Sequence, residues 1–337
     1  MKKNVLHIKN AKVGYPGGTT LLQDLNLNAG TSEIIALVGA NGTGKSTFLR
    51  TLMRLIPLLE GSIQVLGENL NSYSRLDFAR IVSFVSTEMP GSLNMNVIEL
   101  VTAGRYPYTS WFGNLNGKDK QLINKAIEMV DLMALKYKKI SEISDGERQR
   151  AMIARTLAQD TPLIILDEPT AFLDIPNRFE IIHLLGKMSQ NAGKTVIFST
   201  HDLSLALTES DKIWMVVDKK IEEGSPEDLI IAGKFDKLFN KDVITFDREK
   251  GEYILKKIVH GKIGVVGDPS NCLMTSRALH RIGYEPIWHN DNKILPAVEC
   301  LTSEEGNAWI FYSKQEEKKF FTIYDLATYL KNANLNF

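Results

Sequence analysis

At 337 residues the chain exceeds what one ordinary domain needs, and its 40 Lys and Arg balance 40 Asp and Glu, which argues against a whole-surface nucleic-acid footprint. Two cysteines, Cys272 and Cys300, lie far apart in sequence and fit no metal or redox spacing, so they read as buried or surface thiols. The opening lysines have no apolar stretch of signal-peptide length behind them, and no run of about eighteen apolar residues occurs, so service to a membrane would be that of a peripheral subunit docked from the cytoplasm.

In chain order, Tyr15 comes first, ahead of Pro16-Gly17-Gly18 in a loop where an aromatic ring can stack on a planar ligand or pack on nearby strands. A strand predicted at 34–38 runs directly into Gly39-Ala40-Asn41-Gly42-Thr43-Gly44-Lys45-Ser46-Thr47, with a helix over 45–55. That spacing matches the phosphate-binding P-loop in full. Glycines let backbone N–H groups turn inward around anionic phosphates, and the helix N-terminus adds its positive end. Lys45 is placed to reach the phosphates and Ser46 to offer a hydroxyl to Mg2+. The next strand is predicted at 81–85. A long helix-compatible excursion follows, with helices at 120–132 and 147–157, and reads as a separate helical lobe over about 88–160.

The apolar strand 163–166 then carries Asp167 and Glu168 to its C-terminal edge, where open α/β sheets place ligands. Two adjacent acids alone would also fit a solvent-facing strand end. Paired with the P-loop, Asp167 suits a magnesium shell and Glu168 the polarisation of an attacking water. A helix is predicted at 178–188 and a strand at 196–199, with His201 just beyond it. A lone histidine is more often structural, but at this edge a neutral imidazole can bond the γ-phosphate or hold the water in line. A strand at 213–217 and a helical stretch from Gly224-Ser225-Pro226 to about 238 close the main domain.

A second unit is expected from about 251 to 337, with a glycine-bounded strand at 261–267, a helix at 275–282, and further elements at 309–312 and 320–330. Gly264-Val265-Val266-Gly267-Asp268 has fewer glycines than a dinucleotide loop requires, so it reads as packing and receives no cofactor.

The ordered motifs over about 4–240 resemble the ATP-binding subunit of ABC transporters. Tyr15 stands in the A-loop position, 39–47 is Walker A, and Ile143-Ser144-Asp145-Gly146-Glu147, followed by Arg148-Gln149-Arg150-Ala151, is the signature. Residues 163–168 are Walker B, Ala171-Phe172-Leu173-Asp174 is the D-loop, and His201 is the switch histidine. The resemblance implies an α/β P-loop NTPase of ABC type over 1–250, with a RecA-like core, an antiparallel β subdomain and a helical lobe, plus a small C-terminal α/β appendage. It implies ATP and Mg2+ as cofactors. Nucleotide contacts would come from Tyr15, Gly39, Asn41, Gly42, Thr43, Gly44, Lys45, Ser46, Thr47, Ser144, Gly146, Glu147 and Asp174. Ser46 and Asp167 would hold the metal, and Glu168, His201 and Lys45 would serve catalysis. Ser144 and the Gly146 N–H form a second anion corner before a helix, which in the family closes over ATP held by the opposite subunit. One P-loop and one signature per chain therefore imply a head-to-tail homodimer. Asp145 replaces the family's middle glycine and Glu147 stands where glutamine is common, adding negative charge beside a triphosphate.

Without fused membrane helices, the likeness points to uptake. Val97-Ile98-Glu99-Leu100-Val101 and Gly104-Arg105-Tyr106-Pro107 resemble importer ATPases for iron–siderophore, haem and vitamin B12 complexes, although Glu99 also reads as an exposed helix residue and Arg105 as a local capping charge. The family's partners are two transmembrane permease subunits, whose coupling helices would dock near 87–99, and an extracytoplasmic substrate-binding protein. The expected location is the cytoplasmic face of the membrane, peripheral, with no nucleic acid bound. An importer for another substrate is the alternative, as is a soluble non-transport ABC ATPase. Ribosome-acting members usually carry two cassettes in tandem, and DNA-repair members need a long coiled coil that is absent here. The family usually places a metal-touching glutamine after the 81–85 strand; Thr87 matches that position, and Glu88 is expected to approach the metal in its stead. A Glu88 facing solvent or the permease is the other reading.

Overall fold

The computed structural model describes residues 4–86, 94–109, 114–239, 243–248, 250–256, 258–288, 295–303, 306–314 and 316–333. The chain divides into two compact units, Met1–Ile254 and Leu255–Phe337.

The first unit is built on a six-stranded sheet. Its strands run in the order Lys220–Gly224, Lys212–Val217, Ile34–Gly39, Thr195–Ser199, Leu163–Leu166 and Val82–Val85. All neighbours are parallel except the first pair, which is antiparallel. The three central strands are buried at every residue, which is why they read as continuous apolar runs rather than alternating ones. Successive side chains still point to opposite faces, so the sheet feeds two cores. Ala36, Val38, Ile164, Leu166 and Phe198 pack with the helical lobe and the helix Ile175–Ala192. Leu37, Ile165, Ile197 and Trp214 pack instead with Phe48 and Leu49 and with a four-stranded antiparallel sheet. That sheet joins Thr20–Gly30, Asn4–Gly14, Glu60–Val65 and Glu68–Asn69, the antiparallel subdomain expected of the fold.

Helix limits follow the caps more than the apolar pattern. The first core helix ends at Leu52 rather than near 55, with Arg54 left-handed at φ 59°. The helix placed at 120–132 runs Gly117–Met129, because Asn116 and Asp119 form a reciprocal cap. Ile81 closes the helix Arg75–Ile81 instead of opening a strand; Ser74 caps that helix, and the strand begins at Val82.

The lobe helices Val97–Ala103, Gly117–Met129 and Asp145–Gln159 are tied together at Arg105. Its guanidinium donates to Asp119 Oδ1 at 2.9 Å and to the Ala158 carbonyl at 2.7 Å, and lies 3.9 Å from the Tyr108 ring centroid. With side chains only 5% and 2% exposed, Arg105 and Asp119 are a buried ion pair, so Arg105 is a tie between helices and not a local capping charge. Glu99 caps the start of its own helix, accepting from the Asn96 N–H at 2.8 Å.

The second unit has a five-stranded sheet in the order Tyr284–Trp288, Gly261–Gly267, Ala297–Ser303, Gly306–Tyr312, Glu317–Phe320. The first three strands are parallel and the last two antiparallel. The helices Pro269–Arg281 and Ile323–Asn332 contribute Leu279, Leu326 and Leu330 to a core shared with Ile263, Val265, Trp309 and Phe311. Cys272 and Cys300, far apart in sequence, share one core here as buried free thiols. Cys300 donates to Thr275 at 3.4 Å, and burial pushes its thiol up to about 12. Both sit in the packed core of this unit.

Candidate functional site

The parallel core strands end at one edge of the sheet, and the sequence motifs collect there. The P-loop strand hands over to a turn in which Gly42 and Gly44 take left-handed backbones at φ 76° and 100°, a region that favours glycine. A Cβ on Gly44 would also lie 3.1 Å from Leu21 Cβ. The helix Lys45–Leu52 starts directly from Gly44 with no side-chain cap, leaving its first N–H groups facing the loop. Asn41 is exposed at the tip, and Thr43 Oγ1 donates to the Ala40 carbonyl at 2.9 Å.

Lys45 is buried and donates to the carbonyls of Gly39 at 2.8 Å and Ala40 at 3.0 Å. Burial lowers its pKa, while Glu168 and Asp167 pull the other way. Ser46 donates to Asp167 Oδ1 at 3.1 Å. Thr47 lies 3.4 Å from the Tyr15 hydroxyl, and the Tyr15 ring is half exposed beside the loop.

Asp167 is 3% exposed, and its backbone N–H reaches the Val85 carbonyl at 2.9 Å across the neighbouring strand. Glu168 takes a left-handed backbone at φ 48°, unusual for a residue with a side chain. Its carboxylate contacts Nε2 of His201, so the two residues expected to handle the attacking water already meet. A residue that the motif reading passed over completes this edge. Ser199, fully buried at the end of its strand, donates to Asp167 Oδ1 at 2.7 Å and accepts the Glu168 N–H at 2.8 Å. The only signal for it in the sequence is a hydroxyl closing the apolar run Val196-Ile197-Phe198 two residues before the histidine.

The signature residues form a second cluster. Ser144 caps Asp145–Gln159, and its side chain is not idle: Ser144 N–H and Oγ donate to Glu147 Oε2 at 2.7 and 2.9 Å. Those bonds, the backbone one foremost, hold the Glu147 carboxyl below its usual range. Asp145 turns to Arg148 at 2.7 Å, which offsets its added charge locally. A Cβ on Gly146 would lie 2.6 Å from Asn177 Oδ1, so a larger residue here would have to push the Asn177 side chain off its present position. Asn177 is in turn held by Asp174, which caps Ile175–Ala192. Asp174 thus spends its carboxylate on the helix start. Phe172 of the D-loop is 92% exposed. Thr87 and Glu88 lie outside the described residues.

The residues at the P-loop suit a magnesium ion. Ser46 Oγ and the Asp167 carboxylate are hard oxygen donors on adjacent elements, already 3.1 Å apart. Among the described residues no group of three or more His, Cys, Asp or Glu side chains could hold a metal without help. A site with one carboxylate and one hydroxyl is the arrangement of an ion that takes its remaining ligands from water and substrate phosphates.

A family model described as ABC transporter matches residues 22–171, and one described as iron ABC transporter C-terminal domain matches 260–331. The petrobactin import ATP-binding protein FpuC of Bacillus anthracis is 33% identical over 76% of this chain and 94% of its own length. The iron(3+)-hydroxamate import ATP-binding protein FhuC of Bacillus subtilis is 33% identical over 71% of this chain and 89% of its own. Among solved structures, the dimeric ATP-binding cassette MJ0796, in a post-hydrolysis state bound to ADP and Pi, superposes with a TM-score of 0.58 at 25% identity, covering 66% of this chain and 98% of that one.

Proposed function

This chain belongs to the ABC transporter family as an ATP-binding, ATP-hydrolysing subunit, and on that premise we propose that it energises an importer of iron–siderophore or related metal-chelate complexes. The observation that carries the chemistry is the continuous set of contacts from Ser46 through Asp167 and Ser199 to Glu168 and His201, all at the end of one sheet.

In this reading the backbone N–H groups of 41–46 and the Lys45 ammonium hold the phosphates, and the Tyr15 ring packs on the base. Lys45 exchanges its carbonyl partners for phosphate oxygens, a stronger charge-assisted bond. Ser46 and Asp167 would hold a magnesium ion, which when bound would neutralise charge developing on the phosphoryl oxygens. Glu168 orients and polarises the attacking water, and His201, in contact with that carboxylate, fixes its direction. Ser144, Gly146 and Glu147 face the γ-phosphate of a second copy, so two chains complete two sites head to tail. Before that, Glu147 must release Ser144 or share it with the incoming phosphate.

We assign the membrane path to partner subunits, two permeases fed by a substrate-binding protein; among the described residues no helix is long and apolar enough to cross a membrane. The chelate assignment is supported by the import relatives and by the iron-transporter model over the second unit. The test uses the complex reconstituted with its permease and binding protein. ATP hydrolysis should rise several-fold with binding protein loaded with a ferric siderophore. A response to sugar-loaded but not chelate-loaded binding protein would refute the substrate class.

A further inference from the structure

We infer that Ser199 is a positioning residue for the hydrolytic step: its one hydroxyl sets the carboxylate of Asp167 and the backbone of Glu168 at the same time. This rests on the roles proposed above for those two acids. Ser199 ends the strand Thr195–Ser199, which lies between the P-loop strand and the Walker B strand, and its side chain is fully buried. A serine hydroxyl has one proton to give and lone pairs to receive. The proton goes to Asp167 Oδ1 at 2.7 Å, and a lone pair takes the Glu168 N–H at 2.8 Å.

The second bond matters because of where Glu168 sits. The chain leaves the sheet here, at φ 48°, so this N–H is turned out of the strand ladder. The Asp167 N–H still reaches Val85; the next one along depends on Ser199. A part-buried N–H left without a protein partner is unfavourable, and at a left-handed residue the chain would relax by rotating away. Such a rotation moves the Glu168 carboxylate, the group facing the water. The first bond acts on the other acid. Asp167 Oδ1 accepts from Ser46 on the P-loop side as well as from Ser199, so one oxygen joins three segments of the edge. Ser199 therefore fixes the distance between the metal-holding carboxylate and the water-facing one, touching neither nucleotide nor metal itself.

The inference separates binding from turnover. In the full chain, assembled with its permease, Ser199→Ala should lower kcat about 10- to 100-fold, the range for a lost bond to a charged group. KM for ATP should stay within about two-fold, since the P-loop grip is intact. The Mg2+ concentration for half-maximal activity should rise. Metal-free ATP binding should match wild type, which certifies the fold. Ser199→Cys, with a weak donor of similar shape, should resemble Ala, whereas Ser199→Thr should restore most of kcat. Wild-type kcat and Mg2+ response in Ser199→Ala would overturn the inference. So would a loss of metal-free ATP binding in step with activity, or a Thr variant no better than Ala. Glu168→Gln and Asp167→Asn run beside these variants as controls. If they retain turnover, the acid assignments fail; if they are inactive while Ser199→Ala is normal, only the role of Ser199 falls.

Discussion

The two units of this chain both pack helices on a sheet that contains parallel strands, yet one announces its chemistry in sequence and the other does not. The first unit must place backbone N–H groups around phosphates, and that task fixes glycine positions, a lysine and a hydroxyl within a few residues. The second unit has a strand, a turn at Gly267 and a capped helix in a similar order, but Asp268 spends its carboxylate on the cap and a Cβ at Gly267 would lie 2.1 Å from the Cys300 carbonyl oxygen. There the glycine serves close packing of main chains. A loop that looks alike in outline can thus be a cradle or a joint, and the partner atoms around it decide which.

Variants in each unit sharpen that contrast. The largest effect is expected at Glu168→Gln. Hydrolysis should fall by about 10²- to 10⁴-fold, the usual contribution of a positioned general base, while ATP is still bound and the second unit melts as in wild type. Steady-state ATPase with a calorimetric scan checks both halves. Next is Phe311→Ala in the second unit. The ring is fully buried against Tyr329, so its loss should cost about 3–5 kcal/mol of that unit's stability and leave KM for ATP unchanged in the folded protein. A matching fall in nucleotide affinity would show that the two units do not separate in this way.

The smallest effect is electrostatic. In the second unit, Cys300 is pushed up to about 12 by burial, and Tyr312 and Tyr329 to about 12 by hydrogen bonds to Glu299 and Glu316. These groups keep their protons in the folded state above their ordinary values of about 8.5 and 10, where the unfolded chain loses them. Their contribution is fully present below about pH 8.5 and is lost as pH rises toward 12. Denaturant midpoints for this unit should therefore decline over that alkaline window and stay flat on the acidic side of it as far as these groups are concerned. Burial also raises Tyr253 in the first unit, so its decline should start later rather than be absent.

Much of the fold was legible because buried parallel strands are short apolar runs with helices between them. The apolar run 163–166 and the strand Leu163–Leu166 coincide residue for residue, and the P-loop spacing is legible directly. Errors gathered where a polar side chain, not periodicity, sets a limit. Ser74 starts a helix that runs on to Ile81, and Asn116 starts the lobe helix three residues early. Within the site, Lys45, Ser46, Asp167, Glu168 and His201 come together at the edge expected of them. Ser199 did not stand out, since a hydroxyl at a strand end has no motif until the strand beside it is known. Glu147 shows the opposite limit. Its place in the signature was plain, but its bond to Ser144 belongs to the capping geometry of the helix start. The meeting of Cys272 and Cys300 was equally hidden, because sequence distance says nothing about which helix will cover which strand.

The order of strands in the main sheet has a consequence for how the enzyme is made. Ser46 and Asp167 are 121 positions apart, and Ser199 follows Asp167 by a further 32. The P-loop strand pairs with Thr195–Ser199 and Lys212–Val217, both of which are synthesised long after it. A chain emerging from the ribosome therefore carries its phosphate loop for well over a hundred residues without the strands that flank it. Contacts this remote in sequence form only after a large loop has closed, which slows them relative to the local helices of the lobe. Nucleotide has little to stabilise in the early chain, because the strands that flank the P-loop strand are not yet in the sheet. ATP binding becomes a late reward for finishing the core, and the concentration of ATP in the surroundings should favour the completed sheet over its precursors.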